Sequence, residues 1–397
     1  MAFGDLRGEG RGWTLLAIAA GWVFVLGGRF LVPAVLPQVK DAFTVGDIGA
    51  GVAVTVIWAT YGLMQMPAGI LVDRVGERRL LAGSVVFTAT SVIVIGGAPA
   101  FLAFLVGCGG FGLATGLYGP ARGTALSRAF PDHDGTAIGA TLAAGSVGSA
   151  VLPLVAGSLV SSYSWRLLVG GLAVPLVAVG ALIWVTVPSF EIGDEASAEL
   201  PVGDVIAAMR TRQVAIAISA VTIMIFVFQG VSAFYVTYLT SVTGFAQSTA
   251  AAMFSLVFLG GAVSQVVSGG LADRFGDRPV LVVAAGVTVP VLVAIPALDS
   301  KIAVAAASLL LGARLGVNAV SNAYIIDVLP DAVTGTAWGT LRTASFILGA
   351  TGSTVVGAMA DNDLFDEAFL LLAALTVVAA LLYIRLPART ASGNSNT

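Results

Sequence analysis

The sequence predicts an all-α membrane protein with twelve transmembrane helices arranged in two bundles of six. Three observations support this fold class: the hydrophobic content, the recurrence of long apolar segments, and an internal duplication. Hydrophobic residues make up 57% of the 397-residue chain and charged residues only 10%, whereas soluble domains are about 25% charged. Because so few charges cannot cover the surface of a soluble protein of this size, we expect the chain to be embedded in a lipid bilayer.

Twelve segments are long and apolar enough to cross a hydrocarbon core of ~30 Å, which takes about 20 helical residues. We call them spans 1 to 12, and in chain order they are 12–37, 47–72, 80–98, 100–122, 136–160, 166–188, 213–239, 247–272, 279–298, 301–327, 336–360 and 367–386. Apolar runs of this length exclude a β-barrel, whose strands alternate polar and apolar residues over ~10 positions. Span 1 resembles a signal peptide in following Arg7 and Arg11, but it contains Arg29 and leads into further spans, so we expect it to be a true span.

The longest interruption between spans runs from Ser189 to Arg212 and is rich in acidic residues. It divides the chain into an N-terminal six-helix bundle at 1–188, a central loop at 189–212 and a C-terminal six-helix bundle at 213–397. An even number of spans in each half gives both halves the same orientation in the membrane.

The distribution of basic residues predicts the orientation. With the N-terminus in the cytoplasm, fourteen arginines fall on the cytoplasmic side and three basic residues outside, a strong positive-inside bias. The fourteen are Arg7, Arg11, Arg74, Arg78, Arg79, Arg122, Arg128, Arg210, Arg212, Arg274, Arg278, Arg342, Arg385 and Arg389, and the three outside are Lys40, Arg166 and Lys301. Both termini and the central loop are therefore predicted to be cytoplasmic, and Arg29 and Arg314 belong to neither side.

An internal repeat relates the two halves at an offset of 200 residues. Residues 65–78 read QMPAGILVDRVGER and residues 265–278 read QVVSGGLADRFGDR, which are identical at seven of fourteen positions. In the same register, GTAIG at 135–139 matches GTAWG at 335–339. Parallel duplicated halves are typical of secondary transporters, in which the substrate binds near the middle of the bilayer between the halves.

The repeated segment contains the pattern G-x-L-x-D-R-x-G-x-R, which resembles the signature loop of the major facilitator superfamily. Its residues are Gly69, Leu71, Asp73, Arg74, Gly76 and Arg78 after span 2, and Gly269, Leu271, Asp273, Arg274, Gly276 and Arg278 after span 8. The resemblance covers the whole chain, because the span count, the central loop and both motif copies agree. It implies that these loops hold together the cytoplasmic ends of the two bundles. The glycines would allow tight turns and close approach, and aspartate suits the positive end of a helix. Simple anchoring of the topology by basic residues is the alternative.

Two arginines lie inside predicted spans. Arg314 is at the middle of span 10, and Arg29 is about one turn from the middle of span 1. A charge at this depth is costly and therefore indicates a functional site. The alternatives are that Arg29 extends to the outer interface and that Arg314 serves as a structural hydrogen-bonding centre.

Polar residues close to these arginines extend the candidate site. Asn318, Ser321 and Asn322 follow Arg314 at spacings that place them on the same helical face. The resemblance implies that spans 1, 4, 7 and 10 line a central cavity. On these spans, Gln229 is the counterpart of Arg29 at the 200-residue offset, and Tyr118 and Arg122 are the counterparts of Asn318 and Asn322. We predict a substrate site formed by Arg29, Arg314, Gln229, Tyr118, Asn318 and Asn322. Trp58, Tyr61, Tyr235 and Tyr238 either line the cavity or pack between helices.

The charge of the site predicts the kind of substrate. No carboxylate lies deep in any predicted span, so the two arginines have no evident acidic partner. An unpaired buried charge is costly, and an anionic substrate would supply the partner, since a guanidinium binds carboxylate or phosphate with two parallel hydrogen bonds. Arg29 followed by Pro37 also resembles span 1 of the organic-anion and organophosphate carriers of the superfamily. We expect a secondary transporter that moves a small anionic solute, an organic anion, by alternating access.

Several other functions are less well supported. An efflux carrier of drugs or metabolites is the main alternative; it would favour an embedded acidic residue and an intact motif in span 5, where Gly145, Gly148, Pro153 and Gly157 form only a degenerate version. A receptor derived from the same fold is a third possibility. An enzyme is not expected, because His133 and Cys108 are the only residues of their types. The glycines at 107, 109 and 112 spell a dinucleotide-binding pattern, but they lie inside a span and suit helix packing better.

The remaining predictions concern ligands, partners and location. We predict no catalytic residue, metal or cofactor. The partners expected are the anionic small-molecule substrate and the lipid bilayer, with no nucleic acid, since the formal net charge is −3. The protein is expected to be a monomer that crosses the cell membrane several times. The acidic cluster Asp361, Asp363, Asp366 and Glu367 is either a solvated loop or a cation site.

Overall fold

A computed structural model describes residues 11–189 and 202–387, and within these ranges every regular element is helical. Eleven helices in the described ranges are long and apolar enough to cross a membrane. One further pair of helices, Leu36–Phe43 and Asp47–Leu63, passes the same test together across a bend of 119° and raises the number to as many as twelve. The prediction of an all-α membrane protein is confirmed.

The observed helices cover all twelve predicted segments. Spans 1 to 6 comprise Arg11–Ala34 with Leu36–Phe43, Asp47–Leu63 with Gln65–Val75, Glu77–Gly97, Phe101–Ala129, Asp134–Leu159, and Trp165–Gly170 with Ala173–Thr186. Spans 7 to 12 comprise Arg212–Ser241, Gln247–Phe275, Asp277–Ala294, Lys301–Leu311 with Ala313–Val328, Thr334–Ala360 and Phe365–Ile384. The segment predicted as a central loop is not all loop, because Val202–Met209 forms a short helix in it.

Breaks within spans occur where the backbone hydrogen-bond ladder is interrupted. Span 1 breaks at Val35, between Pro33 and Pro37, which both lack a backbone N–H. Span 10 breaks at Gly312, where a Cβ atom would collide with the backbone of span 8. Glycine at this position therefore lets span 10 approach span 8 closely, two residues before Arg314.

The two halves meet along two equivalent interfaces, span 2 against span 11 and span 5 against span 8. In the first, the Thr55 hydroxyl donates to the Ala350 carbonyl at 2.9 Å. In the second, the Ser255 hydroxyl donates to the Ala150 carbonyl at 2.6 Å. Each residue of the first pair is offset by 200 from its equivalent in the second, so the sequence repeat is also a repeat of the packing.

An aromatic cluster closes the space between the halves on one side of the molecule. Phe30 of span 1 lies 4.5 Å from Phe258 of span 8, measured between ring centroids, and 5.6 Å from Trp58 of span 2. Phe228 and Phe254 lie 5.9 Å and 6.2 Å from the same ring. We call the end beyond this cluster, which carries Asp47 and Asp361, the closed end.

The opposite end, which we call the motif end, carries the two signature loops. Gly76 and Gly276 adopt φ angles of 83° and 84°, a conformation that L side chains rarely reach. Spans 3 and 9 begin at the next residue in each case, so the predicted tight turns are present. A Cβ atom on Gly69 or Gly269 would meet no described atom within 4 Å, so these two glycines serve no close approach in this conformation. Asp73, Arg74, Asp273 and Arg274 are exposed, and a gating role for the loops stays a prediction.

Candidate functional site

A cavity of about 490 Å³ lies between the two halves and is lined by side chains from both. It begins beneath the aromatic cluster, where Phe30 and Phe258 are part of its wall, and its lining continues toward the motif end through Gln65 and Gln265. Four arginines line it: Arg29, Arg122, Arg314 and Arg342. No carboxylate belongs to the lining in the described part of the chain. The cavity is therefore a cationic space with aromatic walls.

Arg29 points into the protein and is almost fully buried, with 1% of its surface exposed. Its Nε donates to the Thr115 hydroxyl at 3.3 Å and its Nη2 to the Thr115 carbonyl at 3.1 Å, both in span 4. Its guanidinium carbon lies 3.8 Å from the ring centroid of Tyr61, within the range of a cation–π interaction. The alternative in which Arg29 extends to the outer interface is not observed.

Arg314 is also buried, with 2% of its surface exposed. Its Nε and Nη2 both donate to the Met224 carbonyl of span 7, and its guanidinium lies 4.4 Å from the ring centroid of Phe228. Its Nη1 has no hydrogen-bond partner among the described residues. Arg314 thus connects span 10 to span 7 and keeps one buried donor atom without a protein acceptor.

Two other arginines, Arg122 and Arg342, line the cavity, although the sequence analysis counted them only as basic residues of the cytoplasmic side. Span 4 continues to Ala129 and span 11 begins at Thr334, so both arginines lie well inside long helices. The cavity penetrates the bundle between these helices, and residues near the predicted span ends therefore face it. Arg122 Nη1 donates to the Thr141 hydroxyl at 2.6 Å. Two features of the sequence could have indicated that these arginines face the cavity. Arg342 lies inside predicted span 11, and Arg122 is the counterpart of Asn322 in the repeat.

The amide side chains of the predicted site line the cavity, whereas Tyr118 does not. Gln229, Asn318 and Asn322 are part of the wall. The Tyr118 hydroxyl instead donates to the Ile18 carbonyl of span 1 at 2.8 Å. Gly21 leaves the space that the Tyr118 ring occupies, because a Cβ atom there would collide with it. Tyr118 lies on the predicted helical face, but its ring packs against Gly21 of span 1 instead of lining the cavity.

Of the four aromatic residues whose role the sequence left open, two line the cavity and two pack between helices. Trp58 and Tyr61 line the cavity. Tyr235 and Tyr238 lie among helices of the C-terminal half, where the Tyr235 hydroxyl is 2.7 Å from that of Ser308 and the Tyr238 hydroxyl donates to Asp366 at 2.6 Å. Aromatic character in a span therefore did not by itself distinguish cavity from packing positions.

The acidic cluster near span 12 contains a helix cap between the two halves. The Asp361 carboxylate accepts the backbone N–H groups of Asp47 at 2.6 Å and Ile48 at 2.8 Å. These are the first residues of span 2, so a residue at the end of span 11 caps a helix of the other half. Within residues 11–189 and 202–387, no group of three or more His, Cys, Asp or Glu side chains is arranged to hold a metal ion.

Solved structures of transporters share this fold. A bacterial homolog of the human lysosomal transporter Spinster, in an inward-facing and unoccupied conformation, superposes with a TM-score of 0.79 at 16% identity, covering 95% of this chain and 97% of that one. The nucleoside transporter NupG gives a TM-score of 0.79 at 13% identity, covering 94% and 99%.

Curated relatives are found in Mycobacterium tuberculosis. Multidrug resistance protein Stp is 30% identical over 156 residues, which are 38% of this chain and 29% of Stp. Drug efflux pump JefA is 29% identical over 175 residues, which are 43% of this chain and 33% of JefA. The matched parts span about a third or less of the length of these relatives.

The family comparison covers most of the sequence. The model described as Major Facilitator Superfamily matches residues 17–350 and 221–397. The paired six-helix halves, the central cavity and the superposed transporters agree with this match. The chain belongs to the Major Facilitator Superfamily of membrane transporters.

Proposed function

We propose that this transporter moves a small organic anion across the membrane by alternating access. The observation that carries the proposal is the charge of the cavity lining, which contains four arginines and, in the described ranges, no carboxylate. Cations gathered away from bulk water repel one another and are poorly solvated, so an anion that enters the cavity gains their attraction. The planar guanidinium groups suit a carboxylate or a phosphate.

The size and the walls of the cavity favour an organic rather than an inorganic anion. A volume of about 490 Å³ is in the range of sites for drug-sized molecules. Trp22, Trp58 and Phe346 supply aromatic surface beside the arginines, and such surface binds an apolar body. One chain provides both halves of the cavity, so a monomer is sufficient for transport.

The arrangement of the halves supports alternating access between two faces of the membrane. The aromatic cluster around Phe30 separates the cavity from the closed end, and the lining extends toward the motif end. The positive-inside bias of the sequence favours a cytoplasmic location for the motif end. We therefore infer that the conformation is inward-facing. The bacterial origin of the curated relatives favours the cell membrane as its location. Rocking of the halves, driven by solute gradients, would expose the same arginines to the other side.

A ligand screen on the purified protein tests this proposal. Carboxylates, organophosphates, sugars and cationic drugs are added in turn, and the melting temperature is measured. A ligand at about 100 times its dissociation constant stabilises the folded state by roughly 2.7 kcal/mol, so organic anions should raise the melting temperature. Stabilisation by cationic drugs with none by anions would overturn the proposal.

Efflux of drugs or metabolites is a second candidate function. The names of two relatives, Multidrug resistance protein Stp and Drug efflux pump JefA, favour it. The two candidates differ in the charge of the substrate, and only the second specifies the direction of transport, which is outward. Transport assays in proteoliposomes of known orientation distinguish them. Transport of an organic anion should fall when a cavity arginine is removed, whereas efflux of a neutral or cationic compound should not depend on that arginine.

A further inference from the structure

Tyr61 of span 2 is the point at which two of the cavity arginines converge. The guanidinium of Arg29 lies 3.8 Å from its ring centroid, and the Nη2 of Arg342 donates to its hydroxyl oxygen at 3.4 Å. Arg29 belongs to the N-terminal half and Arg342 to the C-terminal half. The sequence analysis left Tyr61 open between lining the cavity and packing between helices, and it did not include Arg342 in the substrate site.

The Arg342 guanidinium at this point is not fully paired with hydrogen-bond acceptors in the described part of the chain. Arg29 and Arg342 repel each other electrostatically, and the group that they share is the Tyr61 side chain rather than a carboxylate, since no described carboxylate belongs to the cavity lining. The contact of Arg342 with Tyr61 is long for a hydrogen bond, and its Nε has no hydrogen-bond partner among the described residues. An anionic group between the two guanidiniums would relieve the repulsion and accept shorter hydrogen bonds.

Arg342 differs from the other cavity arginines in the half that it contacts. The hydrogen bonds of Arg29 and Arg122 stay within the N-terminal half, and those of Arg314 stay within the C-terminal half. The bond from Arg342 to Tyr61 crosses between the halves. The binding of a ligand at this position therefore depends on the distance between the two halves.

The surroundings of Tyr61 indicate what accompanies the anionic group. Trp58 and Phe346, one from each half, are stacked with ring centroids 6.1 Å apart and an interplanar angle of 7°. Phe346 also lies 5.0 Å from the Tyr61 ring. All three rings line the cavity, so a planar apolar body next to the charge finds aromatic surfaces with which it can pack.

We propose that the anionic group of an aromatic carboxylate binds between Arg29 and Arg342, beside the Tyr61 hydroxyl, and thereby links the two halves of the transporter. This inference rests on the function proposed above and makes it specific. Arg342 and Tyr61 are substrate-binding residues in this arrangement, and Arg314 contributes positive charge from span 10 while it is held to span 7 by the Met224 carbonyl.

The test measures the binding of 1-naphthoate and of its neutral isostere 1-naphthamide to the purified full chain by calorimetry. The wild type should prefer naphthoate. Arg342→Gln should weaken naphthoate binding at least tenfold and leave naphthamide binding unchanged, so that the preference for charge is lost. Tyr61→Phe should weaken naphthoate binding severalfold. Arg342→Lys keeps the charge but not the planar fork and should restore part of the preference, whereas the exposed Arg385→Gln is the matched control and should bind as the wild type does.

The possible failures are distinguishable. If the wild type prefers naphthoate and Arg342→Gln keeps the full preference, the inference is overturned and the proposed function stands. If the preference is lost in Arg314→Ala but not in Arg342→Gln, the anionic group binds at span 10, and again only the inference fails. If the wild type binds neither naphthoate nor inorganic phosphate, both the inference and the proposed function fail. Because the ratio of the two affinities is measured on one preparation, a general loss of folded protein does not imitate the expected result.

Discussion

The two halves of this transporter share a helical framework, but they differ in where they place their charges. The hydrogen bond from Thr55 to Ala350 has its equivalent in the bond from Ser255 to Ala150. The cavity arginines have no such equivalents. At the 200-residue offset, the counterparts of Arg29, Arg122, Arg314 and Arg342 are Gln229, Asn322, Ala114 and Leu142.

This difference separates packing from function. Small residues and hydroxyls at the interfaces must stay alike in both halves, because the close approach of helices leaves room for little else. A side chain facing the cavity has no such neighbour. Each half contributes two arginines, at non-equivalent positions, so the cavity is asymmetric although the framework is not. We infer that the asymmetric positions recognise the substrate.

The largest effect is expected for Arg314→Ala. This variant gives span 10 the residue that span 4 has at the equivalent position, Ala114. This change removes a cation from the cavity and both donors to the Met224 carbonyl. We expect uptake of an organic anion into proteoliposomes to fall about 100-fold, equivalent to ~2.8 kcal/mol, with little loss of folded protein. Arg385→Gln serves as the control for uptake. Normal transport by Arg314→Ala would show that this arginine is not part of the site.

A smaller effect is expected when a charge is moved to its symmetry-related position. The double variant Arg29→Gln with Gln229→Arg keeps the total charge of the cavity but places the cation in span 7. If recognition depends on the convergence of Arg29 with Tyr61, anion binding should weaken about tenfold, equivalent to ~1.4 kcal/mol, as measured by calorimetry. The single variant Arg29→Gln is the reference. Full recovery of binding in the double variant would mean that only net charge matters.

The smallest effect concerns the closed end, where the two interfaces also differ. Asp361 caps the first turn of span 2, whereas its counterpart in the sequence is Ser161. Asp361→Ser should weaken the closed end by about 1 kcal/mol, the usual contribution of a helix cap, and so raise the population open at that end about fivefold. Distances between spin labels on spans 2 and 11 measure this shift. The neighbouring variant Asn362→Ser should leave the distance distribution unchanged, and an identical distribution in Asp361→Ser would exclude a role for the cap.

The sequence predicted the fold well because membrane insertion is governed by local hydrophobicity. Each of the twelve predicted segments contains a helix, and the repeat at 65–78 and 265–278 corresponds to equivalent turns at Gly76 and Gly276. Arg29 and Arg314 were identified because a charge within an apolar run is visible without any knowledge of packing. The short helix Val202–Met209 was missed, because the segment was interpreted from its acidic residues alone.

The candidate site was predicted less completely than the fold. Arg122 and Arg342 were counted only as basic residues of the cytoplasmic side because they lie near the ends of predicted spans, yet both line the cavity. How far the cavity extends between the helices depends on how the helices diverge. Tyr118 was placed in the cavity from its helical face, yet the vacancy at Gly21 turned its ring toward span 1. Neither result is encoded in the periodicity of a single helix.

The sequence by itself determined that the chain crosses a membrane, that its halves are duplicates and that two cations lie within apolar spans. These properties depend on composition and spacing along the chain, because the insertion of each segment into the bilayer depends on the hydrophobicity of that segment. Only the tertiary structure decided that Arg342 meets Tyr61 across 281 residues of sequence and that Arg29 lies over the same ring. That convergence arises from the packing of one bundle against the other, because residues so far apart in sequence become neighbours only when the halves come together.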